Sequence, residues 1–247
     1  MDRIAVLADV HGNLPALEVV AADISRRGIS EVVNLGDHVS GPLWPRETAD
    51  LLMRQTWRTI AGNHDRQVAF DKPHTHGPSD AYAFARLSER QLQWLASLPP
   101  TLSLDDRDVL LVHGTPQSDT RYLLESIAGE RLHLASPGEI ATRLGDTAAS
   151  LVACGHSHVP RLVHDRNGRV CLNPGSVGPP AYRDDGETPH VSETGSPQAR
   201  YAVAQRAGDA WRVEFVALDY DWIAAARQAG SNSRPDWEDA LRTGFVG

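Results

Sequence analysis

The feature that most constrains the fold is a repeated pattern in the first 65 residues, where short apolar runs end in polar side chains. The runs Ile4–Ala8, Glu31–Leu35 and Trp57–Ala61 have the length and composition of buried strands. Apolar residues at helical spacing from Leu14 to Ile24, and a helix expected from about Pro45, separate these runs. This β-α-β-α-β order predicts parallel strands with right-handed crossovers, whose carboxyl ends share one edge of the sheet.

Residues that can carry chemistry follow each of these runs, and they also follow two later runs at 108–112 and 151–154. We expect these side chains to converge, because ligands bind at the carboxyl edge of such sheets. The pair at 156 and 158 would share one orientation if that segment were extended. The candidates are Asp9, His11, Asp37, Asn63, His64, His113, His156 and His158.

This set contains carboxylates, imidazoles and one amide, and no thiolate is among the expected ligands. Such a mixture favours manganese, iron, zinc, cobalt or nickel over calcium and magnesium, which prefer shells made of oxygen. Without His64, the remaining side chains are too many for one ion that must keep an open position. They predict two ions, bridged by a carboxylate and roughly 3.5–4 Å apart. His64 remains as a group that gives or takes a proton near neutral pH.

The ordered set of Asp9-x-His11, Gly36-Asp37, Gly62-Asn63-His64-Asp65, His113-Gly114 and Gly155-His156-Ser157-His158 resembles the calcineurin-like metallophosphoesterase family. It is especially similar to the small bacterial and archaeal phosphodiesterase-like branch of that family. The resemblance implies an α/β (mixed α+β) four-layer αββα sandwich. In this fold two mixed sheets lie face to face, helices flank them, and a small helical cap is inserted.

The resemblance also implies roles for individual residues. Asp9, His11 and His158 would hold one metal, Asp37 would bridge, and Asn63, His113 and His156 would hold the second. The expected cofactors are two divalent transition metal ions, with manganese as the first expectation and iron, zinc, nickel or cobalt as alternatives. A hydroxide between the metals would attack phosphorus in line. The two catalytic residues would be His64, as general acid, and Asp65, which would orient the His64 imidazole.

One departure bears on the substrate. Members of this family that act on phosphoproteins or dinucleoside polyphosphates usually carry Asp-Arg-Gly soon after the bridging aspartate, whereas this chain has Gly36-Asp37-His38-Val39-Ser40-Gly41. The absent arginine favours phosphodiesterase activity, with a phosphomonoesterase acting on small phosphorylated metabolites or nucleotides as the alternative. A non-catalytic, metal-binding scaffold for protein interaction is the alternative from another class, and the retention of His64 argues against it. The later stretch Asn173–Gly178 is either a phosphate contact or only a tight turn.

Composition narrows the partners. A net charge of −8 argues against a broad nucleic-acid footprint, so we expect a small phosphorylated substrate that is phosphodiester or nucleotide-like. Two cysteines suggest no disulfide framework and make a reducing cytoplasm the simplest location. No apolar run approaches the ~20 residues of a membrane span, so no membrane partner is expected. A homo-oligomer is left open.

The rest of the chain predicts a single domain spanning residues 1–247. Helical insertions are expected at about 80–97 and 120–146, the second as two helices. Hairpins are expected from 160–164 with 169–172, and from 200–206 with 211–217. Residues 174–198 predict a long loop, and the chain from Tyr220 onwards predicts helix with a break at 230–235.

Overall fold

A computed structural model describes residues 3–104 and 108–247 of the chain. In chain order its helices are α1 (Leu14–Arg26), α2 (Pro45–Leu52), α3 (Asn63–Phe70), α4 (Pro78–Phe84), α5 (Glu89–Ser97), α6 (Pro137–Leu144), α7 (Trp222–Ser231) and α8 (Pro235–Thr243). Its strands are β1 (Arg3–Leu7), β2 (Glu31–Asn34), β3 (Arg58–Thr59), β4 (Thr101–Leu104), β5 (Val109–Val112), β6 (Glu125–Ala128), β7 (Arg131–Leu134), β8 (Leu151–Ala153), β9 (Arg161–His164), β10 (Val170–Asn173), β11 (Ala181–Asp184), β12 (His190–Glu193), β13 (Ala199–Ala207) and β14 (Ala210–Leu218).

The first sheet has the strand order β14-β13-β1-β2-β3. Its strands β1, β2 and β3 are parallel, as the β-α-β-α-β pattern predicts, and β13 pairs antiparallel with β1. A second sheet of mixed direction has the order β4-β5-β8-β10-β9, in which β5, β8 and β10 are parallel. Both predicted late hairpins are present, one as β9–β10 and the other as β13–β14.

The two sheets pack against each other through buried apolar side chains, and β1 shows how the sequence produces the layers. Ile4 and Val6 belong to the core between the sheets, whereas Ala5 and Leu7 face the core formed with α1 and α7. Successive strand residues point to opposite faces, so a strand covered on both sides must be apolar at every position. On the far side of the second sheet, Ile140 and Leu144 of α6 pack against it. The predicted αββα sandwich is therefore confirmed.

The predicted helical insertions need correction. Residues 120–146 contain the hairpin β6–β7 followed by the single helix α6, and the predicted loop 174–198 contains the hairpin β11–β12. Parallel pairing of β7 with β12 joins the hairpins into a third sheet of order β11-β12-β7-β6. Four-residue strands of this kind are stabilised by partners distant in sequence, which local periodicity does not reveal.

The predicted helix 80–97 is also two helices, α4 and α5. The second begins after Ser88, whose hydroxyl accepts the backbone N–H of Gln91 while the Gln91 side chain accepts the N–H of Ser88. This capping box starts a new helix and so interrupts the apolar periodicity. Within the described ranges, no helix is both long and apolar enough to cross a bilayer.

Candidate metal centre

The loops that follow the parallel strands are tied together by backbone hydrogen bonds beyond the edge of the first sheet. The N–H of Asp9 donates to the carbonyl of Gly36, and the N–H of His11 donates to the carbonyl of Asp37. From the second sheet, the N–H of Gly155 donates to the carbonyl of His113. The predicted convergence of strand ends is thus present at the level of the backbone.

Two compact groups of side chains form where these loops meet. Cluster one consists of Asp9, His11 and His158, and cluster two consists of Asp37, His113 and His156. Within each cluster, one potential ligand atom from each residue lies within 4.8 Å of the others. All of these residues are buried except His156, which is half-buried. Each cluster combines carboxylate and imidazole in the way that borderline divalent metals prefer.

The Asp37 carboxylate of cluster two also lies close to cluster one. Its Oδ2 is 3.6 Å from His11 Nε2 of cluster one and 3.1 Å from His113 Nε2 of cluster two. Asn63 Oδ1 lies 3.1 Å from the same His113 nitrogen, which brings the amide oxygen beside cluster two. The geometry therefore brings together all seven side chains that the sequence suggested as ligands.

One nitrogen of each imidazole bonds to a backbone carbonyl and the other faces the clusters, where His113 Nε2 also lies 3.1 Å from both Asn63 Oδ1 and Asp37 Oδ2. The Nδ1 atoms of His11, His113 and His158 lie 2.7, 2.7 and 2.8 Å from backbone carbonyl oxygens, and His156 Nε2 lies 3.0 Å from the carbonyl of Thr120. A carbonyl only accepts, so we assign the proton to these nitrogens and the lone pair to the other nitrogen of each ring. His11 Nε2 is buried and has no hydrogen-bond partner among the described residues. An orphaned buried lone pair beside two carboxylates fits a divalent cation.

The candidate ligands also share an unusual backbone. Within the described part of the chain, six residues other than glycine have left-handed φ, and five of them are Asp9, His11, Asp37, His156 and His158, at 49° to 69°. His156 and His158 are therefore not in the extended segment that sequence spacing suggested. Residues other than glycine rarely adopt this backbone conformation, and those that do are often found at functional sites.

A buried segment that follows β10 of the second sheet braces the Asp9 loop. Ser176 Oγ donates to the carbonyl of Asp9 at 2.8 Å, and the N–H of Gly178 donates to the same oxygen at 2.9 Å. Asn173 Nδ2 donates to the carbonyl of Gly155 at 2.7 Å, beside the loop that carries the late histidines. The segment Asn173–Gly178 starts at the last residue of β10 and bends at 177–178, so it is not a tight turn, and its hydrogen bonds hold the loops of the metal centre. The phosphate contact stays a prediction.

The pKa shifts of the candidate ligands suit a site that binds positive charge. Burial raises the pKa of Asp9 to about 8, with the neighbouring Asp37 carboxylate adding to the rise. Burial lowers the pKa of His11 to about 4 and that of His156 to about 3, so both rings are neutral at pH 7 and able to act as ligands. A bound cation would stabilise the ionised carboxylates that are otherwise costly to bury.

The surroundings of His64 correct one predicted role. Asp65 does not orient His64: its carboxylate accepts the backbone N–H groups of Asp37, His38 and Gly62 at 2.8, 3.0 and 2.9 Å. Asp65 lies in the first turn of α3, where capping the loop is the stronger demand on its carboxylate. The carboxylate that contacts His64 belongs to Asp80, whose Oδ1 lies 2.8 Å from His64 Nδ1. Sequence reasoning missed Asp80, which no motif marks.

A cavity of about 720 Å³ opens over the clusters, and His64 lines it beside His11 and Asp37. Burial alone would lower the pKa of His64, but the Asp37 and Asp80 carboxylates raise it to about 9. Aromatic and acidic side chains form much of the wall, including Tyr122, Tyr182, Trp237, Asp184, Asp185 and Asp236.

The sandwich and its paired Asp/His clusters define a class of mixed α/β protein with a candidate metal centre at the edge of its sheets. The chain belongs to the calcineurin-like phosphoesterase superfamily, whose domain model matches residues 2–194. Membership makes the chain a metal-dependent hydrolase of phosphoric esters, and the two clusters are groups that could hold its metals.

Similar proteins span nearly the whole chain. The uncharacterized protein MJ0912 of Methanocaldococcus jannaschii is 27% identical over an alignment of 257 positions, which covers 95% of this chain and 94% of that protein. The crystal structure of a metallophosphoesterase from Sphaerobacter thermophilus is 26% identical, with a TM-score of 0.75 and 99% of each chain covered. The hypothetical protein PH1004 from Pyrococcus horikoshii has the same fold, with 20% identity, a TM-score of 0.75 and full coverage of both chains.

Proposed function

We propose that the protein hydrolyses phosphodiesters at a dinuclear metal centre formed by clusters one and two. The observation that supports this most is the position of Asp37, whose Oδ2 lies within 3.6 Å of a histidine from each cluster. A carboxylate placed in this way can bridge two cations. When bound, such a pair supplies Lewis-acid activation of water and charge stabilisation at the phosphoryl group.

In this proposal the ligands divide as the clusters do. Asp9, His11 and His158 hold the first ion, Asp37 bridges, and His113 and His156 hold the second together with Asn63. The carboxylates, imidazoles and amide oxygen favour manganese, with iron, zinc, nickel or cobalt as alternatives. The whole chain then acts as one catalytic domain.

His64 supplies the proton for the leaving oxygen. It lines the cavity over the clusters, its side chain is 34% exposed, and the two neighbouring carboxylates favour the protonated ring. Its backbone N–H donates to Asp37 Oδ1 at 2.9 Å, which couples its position to that of the bridging carboxylate. A protonated imidazole beside the reacting phosphorus is suited to general acid catalysis.

The cavity supports a diester over a monoester. A monoester dianion needs cationic partners at its free oxygens, whereas a diester carries one charge and two organic groups. Arg66 near the cavity is paired with Asp119 at 2.6 Å, and Arg234 in its wall is paired with Asp236 at 2.6 Å. Arg183 also lines the cavity, but acidic side chains and the rings of Tyr182 and Trp237 form much of the remaining wall and can receive organic groups.

The test begins with elemental analysis of the purified protein, which should find about two transition metal ions per chain. Hydrolysis of bis(p-nitrophenyl) phosphate is then compared with that of p-nitrophenyl phosphate, and kcat/KM should be higher for the diester. A preference for the monoester would establish a phosphomonoesterase instead. Metal without hydrolysis of either ester would support a non-catalytic scaffold.

A variant series tests the role of His64. His64→Ala should keep the metal content of the wild type and lower kcat by about 10²–10⁴-fold, because only the proton donor is removed. His133→Ala is the matched control, since this exposed histidine lies on the β6–β7 hairpin. Equal rates for His64→Ala and the wild type would remove His64 from the mechanism.

A further inference from the structure

His64 has one well-defined contact with a residue outside the family motifs, Asp80. Its Nδ1 lies 2.8 Å from Asp80 Oδ1, and Asp80 is only 5% exposed. The same carboxylate oxygen accepts a hydrogen bond from Ser40 Oγ at 2.6 Å, and that hydroxyl lies 3.4 Å from His64 Nδ1. A carboxylate only accepts, so we assign the Nδ1 proton of His64 to this contact. The other ring nitrogen, Nε2, is then the one left for substrate.

Helix packing holds Asp80 in this place. Asp80 lies in the first turn of α4, and Ala83 one turn later packs with Val68 of α3, the helix that carries His64. The start of α4 is also tied to the site, because the carbonyl of Ser79 accepts the N–H of Gly41 at 3.3 Å. A side chain on a packed helix keeps its position better than one on a free loop.

Ser40 connects this contact to the metal centre. Its carbonyl oxygen lies 2.7 Å from His11 Nδ1 of cluster one, while its hydroxyl donates to Asp80. One residue therefore fixes the spacing between a candidate ligand and the carboxylate that faces His64. The rings of His11 and His64 lie edge to face, with centroids 5.4 Å apart.

We infer that Asp80 is the positioning residue of His64: it fixes the ring orientation and the Nδ1–H tautomer so that Nε2 faces the leaving oxygen of the substrate. This inference rests on the proposed function. Asp80 touches neither substrate nor metal in this role and acts only through the imidazole. A carboxylate on the far nitrogen of a catalytic histidine is an effective means of holding its orientation.

The test uses Asp80→Asn in the metal-loaded protein of 247 residues. Two diesters of similar size are compared, phenyl methyl phosphate with a poor leaving group and p-nitrophenyl methyl phosphate with a good one. We expect kcat for the phenyl ester to fall about 10–10²-fold and kcat for the p-nitrophenyl ester by less than about threefold, since a good leaving group needs little protonation. KM and metal content should match those of the wild type.

A double variant separates positioning from general damage. In the His64→Ala background, Asp80→Asn should cause no further loss, because its effect passes through the imidazole. Ser40→Ala leaves the His64–Asp80 contact in place. It should therefore lower kcat with the same dependence on the leaving group, but by a smaller factor than Asp80→Asn does. Asp209→Asn, a loss of one charge in the exposed turn between β13 and β14, is the matched control.

Failure of this inference is distinguishable from failure of the proposed function. A metal-loaded wild type that hydrolyses neither ester refutes the function itself. If the wild type is active and His64→Ala is slow, three results refute only the role of Asp80. They are wild-type rates in Asp80→Asn, an equal fall in kcat for both esters, and a further loss of activity when Asp80→Asn is added to His64→Ala.

Discussion

Gly178 lets the segment after β10 pass directly against the backbone of the Asp9 loop, so Gly178→Ala tests how strictly that loop must be placed. A Cβ at this position would lie 2.2 Å from the carbonyl oxygen of Val10 and 2.9 Å from that of Asp9. Both atoms belong to the backbone, so no flexible side chain can move aside. The N–H of Gly178 also donates to the Asp9 carbonyl, which keeps the two segments together.

The size of the effect follows from these distances. The 2.2 Å contact must open by at least 0.8 Å to reach the 3.0 Å below which real Cβ contacts essentially never occur. Close-packed surroundings transmit such a shift, and a displacement of about 1 Å in a catalytic group costs on the order of 10²-fold in rate. The expected loss of stability is about 1–3 kcal/mol, which a domain with 5–15 kcal/mol can absorb. Activity should therefore fall far more than folding.

The assay measures kcat/KM on the preferred diester together with metal content and thermal stability. Gly178→Ala should lower kcat/KM about 10²-fold and release metal preferentially from cluster one, which contains Asp9. Gly138→Ala is the matched control, because a Cβ there meets nothing within 4 Å and the residue lies in the first turn of α6. If Gly178→Ala keeps the full metal content and wild-type kcat/KM, the reasoning from backbone spacing is refuted.

Three further predictions test the centre and its support. Asp37→Ala should lose metal from both clusters, and a variant that retains two ions by elemental analysis would contradict bridging. Chelation with EDTA should lower the Tm, and added manganese should restore it. The shift should be about 2–4 °C for each kcal/mol by which metal binding stabilises the folded state, and an unchanged Tm would contradict a metal site in the folded protein. Burial raises the pKa of Asp23, but its bonds to Tyr201 and Arg27 outweigh this effect and lower the pKa. The stability that Asp23 adds to the folded state is therefore complete above a pH of about 4 and is lost as the pH falls through the folded-state pKa. Asp23→Asn should therefore cost about 1–3 kcal/mol in urea unfolding at pH 7, with the difference shrinking on acidification; a constant difference would contradict the linkage.

The convergence of the early candidate ligands could be predicted from local patterns, whereas the sandwich was predicted from the resemblance to a known family. An apolar run such as Ile4–Ala8 predicts a strand covered on both faces, and the crossover rule then fixes which ends meet. Asp9 and Asp37 are therefore expected to be neighbours, whereas His113 follows a strand of the second sheet and joins them through the packing of the two sheets. The same logic predicted the hairpins β9–β10 and β13–β14, whose turns contain Gly168 and Gly208.

Features that depend on non-local pairing could not be predicted in the same way. The strands β7 and β12 stabilise each other although about 60 residues separate them, and each alone is short and half polar. The contact of Asp80 with His64 likewise depends on how α4 packs on α3. The chemistry itself indicated that such a residue should exist, because His64 as a general acid requires a partner for its second ring nitrogen. Asp65 was the only carboxylate that sequence proximity offered for that role.

The left-handed conformation of five candidate ligands explains both how the centre is built and why spacing misjudged part of it. An extended segment would bring residues 156 and 158 to one face by alternation, whereas φ values of 69° and 61° turn the chain sharply at each histidine. Sharp turns allow short loops to present successive side chains inward while the strands themselves stay in the core. Each such residue costs of order 1–3 kcal/mol, and aspartate and histidine tolerate this conformation better than most side chains. The cost is sustained because the loops are locked to each other through bonds such as Gly155 N–H to the His113 carbonyl, so the fold imposes the geometry on the ligands.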